Sequence, residues 1–232
     1  MKIGIQGELG AYSHIAVNKL YKNAEIKTCA SFEETFKQAH QDESYKIIIP
    51  IENSLAGRVA DIHYLLPKYK LQIHGEYFLN VEHNLLCKPE AVMNDIKYVR
   101  SHAQAIGQCQ KIINKNKFQS IISADTAGSA KDLAEGNDKS IAAIASELSA
   151  KIYKLKILEK NVEDEKGNVT RFLIMGKNIE QPEFKKEKKY ITFQILKTFG
   201  FPSDVDNYSK IHFFLFSTDS TNIDHKQEAV GI

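Results

Sequence analysis

The chain has 232 residues, 43% of them apolar and 26% charged, with a formal net charge of +2. That length suits one or two ordinary domains with a sizeable core, and the near balance of charge argues against a broad nucleic-acid surface or a polybasic membrane surface. Three scattered cysteines (Cys29, Cys87, Cys109) without C-x-x-C spacing suggest neither a disulfide framework nor a zinc site; with no apolar signal segment in MKIGIQGELG and no stretch of about 18 apolar residues, the expectation is a soluble, cytoplasmic protein.

KIGIQG reads as a strand ending in Gly7. AYSHIAVNKLY follows, with Tyr12, Ile15, Ala16 and Leu20 near helical spacing. In SFEETFKQAH, Ser31 precedes Glu34 by one helical turn, a capping-box signal, and Phe32, Phe36 and Ala39 share a face. YKIIIPIENS is a buried strand that stops near Pro50. KYVRSHAQAIGQCQKII repeats the scheme, a strand to about Ser101 and then a helix burying Ile106, Cys109 and Ile113. SIISADTAGSAKDLAEG and KSIAAIASELSAKIY do so twice more. GNVTRFLIMG, Gly167–Gly176, is a turn feeding an apolar strand. Strand, polar turn and helix in repetition signify βαβ units and a largely parallel sheet. After about Pro182, PEFKKEKK reads as a charged linker and YITFQIL as a further strand. Beyond Gly200 one apolar cluster stands out, Phe213–Phe216, an aggregation hazard if unpaired.

In open α/β sheets, ligands sit beyond the carboxyl ends of the strands. Here those ends read Gly7–Ser13, Glu52-Asn53-Ser54, Ser101-His102-Ala103-Gln104, Asp125-Thr126-Ala127, Ala145-Ser146 and Asn168–Arg171. Several open into helices, whose N-termini carry unpaired N–H groups and partial positive charge. The pattern proposes a small anion held among strand ends.

Other chemistries fit poorly. Gly4, Gly7 and Gly10 miss the G-x-G-x-x-G spacing of a dinucleotide site. Ser13, Ser54 and His102 belong to no G-x-S-x-G elbow. The histidines form no H-E-x-x-H or i,i+4 pair, so no metal is expected. Glu52 and Asp61, taken alone, read as caps or surface charges. Thr170-Arg171 is harder to place. Successive strand side chains point to opposite faces, so both enter one layer only if the chain turns there. From these residues alone, an ordinary β-former beside an exposed charge is the plainer reading.

Six segments, in order, resemble the prephenate dehydratase family: GELGAYSHIA, PIENSLAGRV, SHAQAIGQC, DTAGSAK, AAIAS and NVTRF. The likeness runs from Met1 to about Met175. Ala103 departs from it, standing where the family usually has proline. The resemblance implies an α/β fold of two lobes like type II periplasmic binding proteins, with mostly parallel sheets flanked by helices and an active-site cleft between the lobes. Lobe one is expected over 1–75 plus 162–180, lobe two over 76–161, with crossings near Glu76–Asn84 and Leu158–Asp164. The implied reaction converts prephenate to phenylpyruvate, water and carbon dioxide, with no cofactor and no metal. The resemblance assigns Thr170 as donor to the departing hydroxyl and Arg171 to a substrate carboxylate. Ser13, Asn53, Ser54, Ser101, Thr126, Ala127 and Phe172 are expected to bind substrate. Glu52, His102, Gln104 and Asn168 are expected to fix loops behind them. Arogenate as substrate, or a small-anion binder without chemistry, are the alternatives. A homodimer or tetramer is compatible with the family. Residues 181–232 are expected to form a linker and a truncated or divergent tail resembling an ACT domain, which leaves regulation by phenylalanine doubtful.

Overall fold

Alternating apolar strands and amphipathic helices build two α/β lobes in a computed structural model that describes residues 1–177 and two further strands, Thr192–Gln194 and His212–Phe214. The first lobe contains β1 (Lys2–Gln6), α1 (Tyr12–Leu20), β2 (Glu25–Cys29), α2 (Phe32–Gln41), β3 (Tyr45–Asn53), β4 (Gly57–Arg58), α3 (Ala60–Tyr69) and β5 (Gln72–Asn80). The second contains β6 (Asn84–Cys87), β7 (Tyr98–His102), α4 (Ala103–Gln108), α5 (Gln110–Asn116), β8 (Gln119–Ser123), α6 (Thr126–Glu135), β9 (Ile141–Ala145), α7 (Glu147–Tyr153) and β10 (Lys156–Glu159). β11 (Val169–Gly176) then returns to the first lobe.

The sheet orders show how the chain is shared. The first is β2-β1-β3-β11-β5 with β4 on β3, and the second is β10-β6-β9-β7-β8. Pairing is parallel for β2-β1-β3 and β9-β7-β8, where helical crossovers join the strands. Each lobe also accepts one strand from the other side of a crossing. β11 inserts antiparallel between β3 and β5, and β6 inserts antiparallel between β9 and β10. The sheets are therefore mixed, because a strand arriving from the opposite lobe has no helix to reverse it.

Both sheet faces are covered, which explains the unbroken isoleucines of β3. Ile47 and Ile49 pack with Phe36, Ile62, Leu65, Leu173 and Met175 beneath α2 and α3. Ile48 faces the other way, with Ile3, Ile5, Val17, Phe172 and Ile174 beneath α1. In the second lobe, Leu85, Val99 and Ile144 meet Ile106, Ile112 and Ile113, while Leu86 and Ala145 meet Ala130 and Ala150. Helix starts are capped as their sequences suggest. Ser31 Oγ accepts from Glu34 N at 3.1 Å, while the Glu34 carboxylate accepts from Ala30 N at 2.9 Å.

The lobe boundaries fall later than expected. β5 stays in the first sheet to Asn80, so that lobe does not end at Gly75, and the first crossing is only 81–83. β10 holds the second lobe together to Glu159, so the return crossing is 160–168. The two crossings lie side by side: Val162 N donates to His83 O at 2.8 Å, and Val81 N donates to Asn168 O at 2.7 Å. Asp164 anchors the return by accepting from Gln110 N and Lys111 N at 2.8 and 2.9 Å, at the start of α5.

Contacts group Met1–Ile179 into one unit and Glu180–Ile232 into another. Within the latter, β12 (Thr192–Gln194) pairs antiparallel with β13 (His212–Phe214). The expected strand YITFQIL thus contains β12. The expectations for an ACT-like tail otherwise lie outside the described residues. No helix among the described residues is long and apolar enough to cross a membrane.

Candidate active site

A cavity of about 1030 Å³ opens where the strand ends of both lobes face each other. Thr170 and Phe172 line it from β11, Asn53 from the end of β3, Ser13 from α1, and His102, Gln104 and Thr126 from the second lobe. Thr170 is buried, and its Oγ1 lies 2.9 Å from Asn53 Nδ2. Asn53 Oδ1 accepts from Leu55 N and Ala56 N at 3.0 and 2.9 Å, which holds the turn after β3 and aims the amide NH₂ at Thr170. Asn168, also buried, sits behind this pair and accepts from Asn53 Nδ2 at 2.7 Å.

Strand alternation separates Arg171 from the cavity. Its neighbours Thr170 and Phe172 line the wall, whereas Arg171 does not. Its Nε donates to Glu76 Oε2 at 2.6 Å, its Nη1 lies 4.0 Å from Glu52 Oε2, and its guanidinium sits 5.8 Å from the centre of the Phe78 ring. Arg171, expected at a substrate carboxylate, thus stands outside the cavity wall with its Nε paired to Glu76. Glu52 shares that outer face and likewise stays out of the cavity.

Three expected binding residues also serve the frame. Ser54 Oγ donates to Gly167 O at 3.0 Å and accepts from Val169 N at 2.9 Å, tying the return crossing to β3. Ser101 is fully buried and donates to Ile144 O at 2.7 Å across the second sheet. Ala127 is buried inside α6. None of the three lines the cavity. The start of α6 is also poorly suited to an anion. Asp125 caps it, accepting from Gly128 N at 2.6 Å, so a carboxylate already occupies the positive end. At α4, His102 Nδ1 accepts from Gln104 N at 3.3 Å and holds that turn.

The start of α1 differs. Ala11 makes no side-chain cap, and the first turn has no acidic residue. Ala11, Tyr12 and Ser13 all line the cavity. Arg58 lines it as well, and it is the one permanent cation among the lining residues. Tyr12, Arg58, His83 and Gln108 are among the lining residues that sequence reasoning did not name for the site. Tyr12, Arg58 and Gln108 lay within recognised segments. The signal for Arg58 was the turn after PIENS, which folds Gly57-Arg58 back onto Glu52-Asn53. Burial holds the His83 imidazole below its ordinary value, partly offset by its bond to Gln108, and pushes the Tyr12 phenol well above its own. Both are neutral near pH 7.

The lobes are braced beside the cavity. Ser146 Oγ and Ser149 Oγ donate to Gly10 O at 2.6 and 3.1 Å, and Tyr153 OH donates to Leu9 O at 2.9 Å. Gly10 is required here: its φ is +95°, and a Cβ would come within 2.8 Å of Ser149 Cα. Lys131 pairs with Glu8 at 3.0 Å across the same seam.

The family model described as prephenate dehydratase matches residues 3–180. The chain belongs to the prephenate dehydratase family. It is 38% identical over 177 residues to an arogenate dehydratase/prephenate dehydratase of Arabidopsis thaliana, covering 76% of this chain and 46% of that one. It is 38% identical over 175 residues to a bifunctional N-acyl-homoserine lactone acylase/prephenate dehydratase of Komagataeibacter europaeus, covering 75% and 62%. The prephenate dehydratase structure from Staphylococcus aureus matches with a TM-score of 0.68 at 26% identity, over 83% of this chain and 71% of that one. The chain therefore spans about half to three fifths of the length of these curated relatives. The two-lobed α/β architecture expected from the motifs is that of the prephenate dehydratase family.

Proposed function

We infer that the chain is a prephenate dehydratase, a carbon–oxygen lyase of phenylalanine biosynthesis. The observation that carries this reading is the Thr170–Asn53 pair in the cavity wall. Asn53 Nδ2 donates to Thr170 Oγ1 at 2.9 Å, so the threonine's own hydrogen is available to a ligand. In the reaction the bond between the ring and its carboxylate breaks, and its electron pair completes the aromatic ring. The ring C–O bond breaks at the opposite carbon. The departing hydroxide takes one proton and leaves as water, and the carboxylate leaves as carbon dioxide. Thr170 donates to that oxygen and is replenished from solvent. Such assistance is worth about 10²–10⁴-fold. The aromatic ring supplies the driving force, so the protein needs to orient the dianion and help one group depart.

Arg58 and the open N-terminus of α1 are the seats for the two carboxylates, one a charge-assisted side-chain contact and one a set of backbone donors. Phe172 and Tyr64 supply apolar wall for the ring. Three free, buried cysteines support a cytoplasmic setting. The Arabidopsis relative is named for both arogenate and prephenate, so arogenate is the second substrate to try. The test is direct: incubate the purified chain with each compound and follow phenylpyruvate and phenylalanine. Phenylpyruvate from prephenate supports the reading. An unaltered ligand that nevertheless binds would replace it with a small-anion binder.

A further inference from the structure

The bonds around Thr170 continue into a chain whose polarity can be read from one end. Backbone N–H groups only donate, so the Asn53 atom facing Leu55 N and Ala56 N is oxygen. The Asn53 NH₂ must then point the other way, one hydrogen to Asn168 Oδ1 at 2.7 Å and one to Thr170 Oγ1 at 2.9 Å. With its oxygen facing Asn53, Asn168 presents its own NH₂ to Gln108, whose facing atom is Oε1 at 2.9 Å. His83 Nε2 approaches that same oxygen at 2.9 Å. An oxygen there accepts, so Nε2 must carry hydrogen. The Nδ1 of the neutral ring is then bare; Tyr12 OH lies 2.7 Å from it and 2.9 Å from Glu82 O, so the single phenolic hydrogen is shared between two acceptors. Thr170 Oγ1 has no other partner among the described residues, so its hydrogen is left for the cavity that Thr170 lines.

The members of this chain come from every part of the fold that the site depends on. Asn53 ends β3 and Thr170 stands near the start of β11 in the first lobe, His83 is on the outgoing crossing, Asn168 on the return, and Gln108 on the second lobe. Their backbones are pinned as well. His83 N donates to Glu163 Oε2 at 2.9 Å, and Asp164 N donates to Gln108 O at 2.7 Å. His83 and Asn168 are each only 3% exposed, so water offers little competition for these bonds.

We propose that His83, as its Nε2–H tautomer, is a positioning residue: through Gln108 and Asn168 it holds Asn53 so that Thr170 stands as a donor into the cavity. This rests on the dehydratase reading for its chemistry, but the tautomer does not. Two measurements test it. The first is the imidazole nitrogen shifts of His83 in the unliganded wild-type chain, assigned by their loss in His83→Gln. The Nε2–H tautomer is expected; the Nδ1–H tautomer would overturn the proposal even if the chain is fully active. The second is kinetic. His83→Leu removes the donor to Gln108 and should lower kcat about tenfold, the worth of one hydrogen bond, with KM within about twofold. His83→Gln keeps an N–H near that place and should recover most of the loss. Equal impairment in both variants would mean that only packing matters at this position and would overturn the positioning role. A wild-type chain that makes no phenylpyruvate but shows the Nε2–H tautomer would sink the activity and leave the bond polarity standing.

Discussion

Thr170 and Asn53 form a hydrogen bond of fixed direction: the amide nitrogen lies 2.9 Å from the hydroxyl oxygen, and backbone N–H groups prevent the amide from turning over. Asn53→Asp should therefore be severe although it is nearly isosteric. The carboxylate can still accept from Leu55 and Ala56, but it offers Thr170 only an acceptor. The threonine hydrogen then turns inward, away from the substrate. Turnover is expected to fall at least about 100-fold, the low end for general acid help, with the circular dichroism spectrum unchanged. Activity within a few-fold of wild type would show that the direction of this bond is immaterial.

Arg58 is the permanent cation lining the cavity. Arg58→Gln removes one charge-assisted contact, worth about 1.5–3 kcal/mol. KM for prephenate should rise roughly 10–100-fold, with a smaller change in kcat, because a carboxylate held equally before and during reaction contributes uniform binding. Steady-state kinetics separate the two constants. A loss confined to kcat would move Arg58 from holding the substrate to assisting the reaction.

Arg171 presents the contrasting case. Its partner Glu76 is buried, with a side chain 6% exposed, and the two meet at 2.6 Å. Arg171→Ala leaves that carboxylate without its partner in a partly buried setting and should cost about 1–3 kcal/mol. A urea titration should show the lower midpoint. Turnover per folded molecule should stay within a few-fold of wild type. Unchanged stability with lost turnover would return Arg171 to the site.

His83 also makes stability depend on pH. Burial lowers its folded value, while the unfolded ring titrates near its ordinary 6.5. Below that value the unfolded chain binds the extra proton, so the contribution is fully present above about 6.5 and is lost as pH falls toward the lowered folded value. The urea midpoint should decline over that window, and less steeply in His83→Gln. Parallel curves for the two proteins would mean that other groups dominate the acid limb.

Much of the fold could be read from the residues because local signals agreed. The isoleucines of β3 marked a strand buried on both faces, Ser31 and Glu34 marked the start of α2, and the polar turns marked the strand ends that now surround the cavity. What stayed hidden was set by pairing across the two crossings. Nothing local to FLIM shows that β11 inserts antiparallel between β3 and β5, and nothing local to YFLN shows that β5 continues to Asn80. The same limit applied within the site. Strand alternation already set Thr170 and Arg171 on opposite faces, but the partner that claims Arg171, Glu76, lies 95 positions away. Ser54 and Ser101 sit in suggestive turns, yet each is bound to a distant carbonyl. His83 lies in a stretch with no motif of its own, and its importance appears only when Tyr12 and Gln108 are brought to either side of it.

The most direct test of the account compares turnover of prephenate by the wild-type chain, Thr170→Ser and Thr170→Ala. Serine keeps a hydroxyl beside Asn53; alanine removes it. The account predicts measurable phenylpyruvate formation by the serine variant, within about tenfold of wild type, and a loss of at least about 100-fold in the alanine variant with the fold intact. Near-wild-type turnover by Thr170→Ala would contradict it.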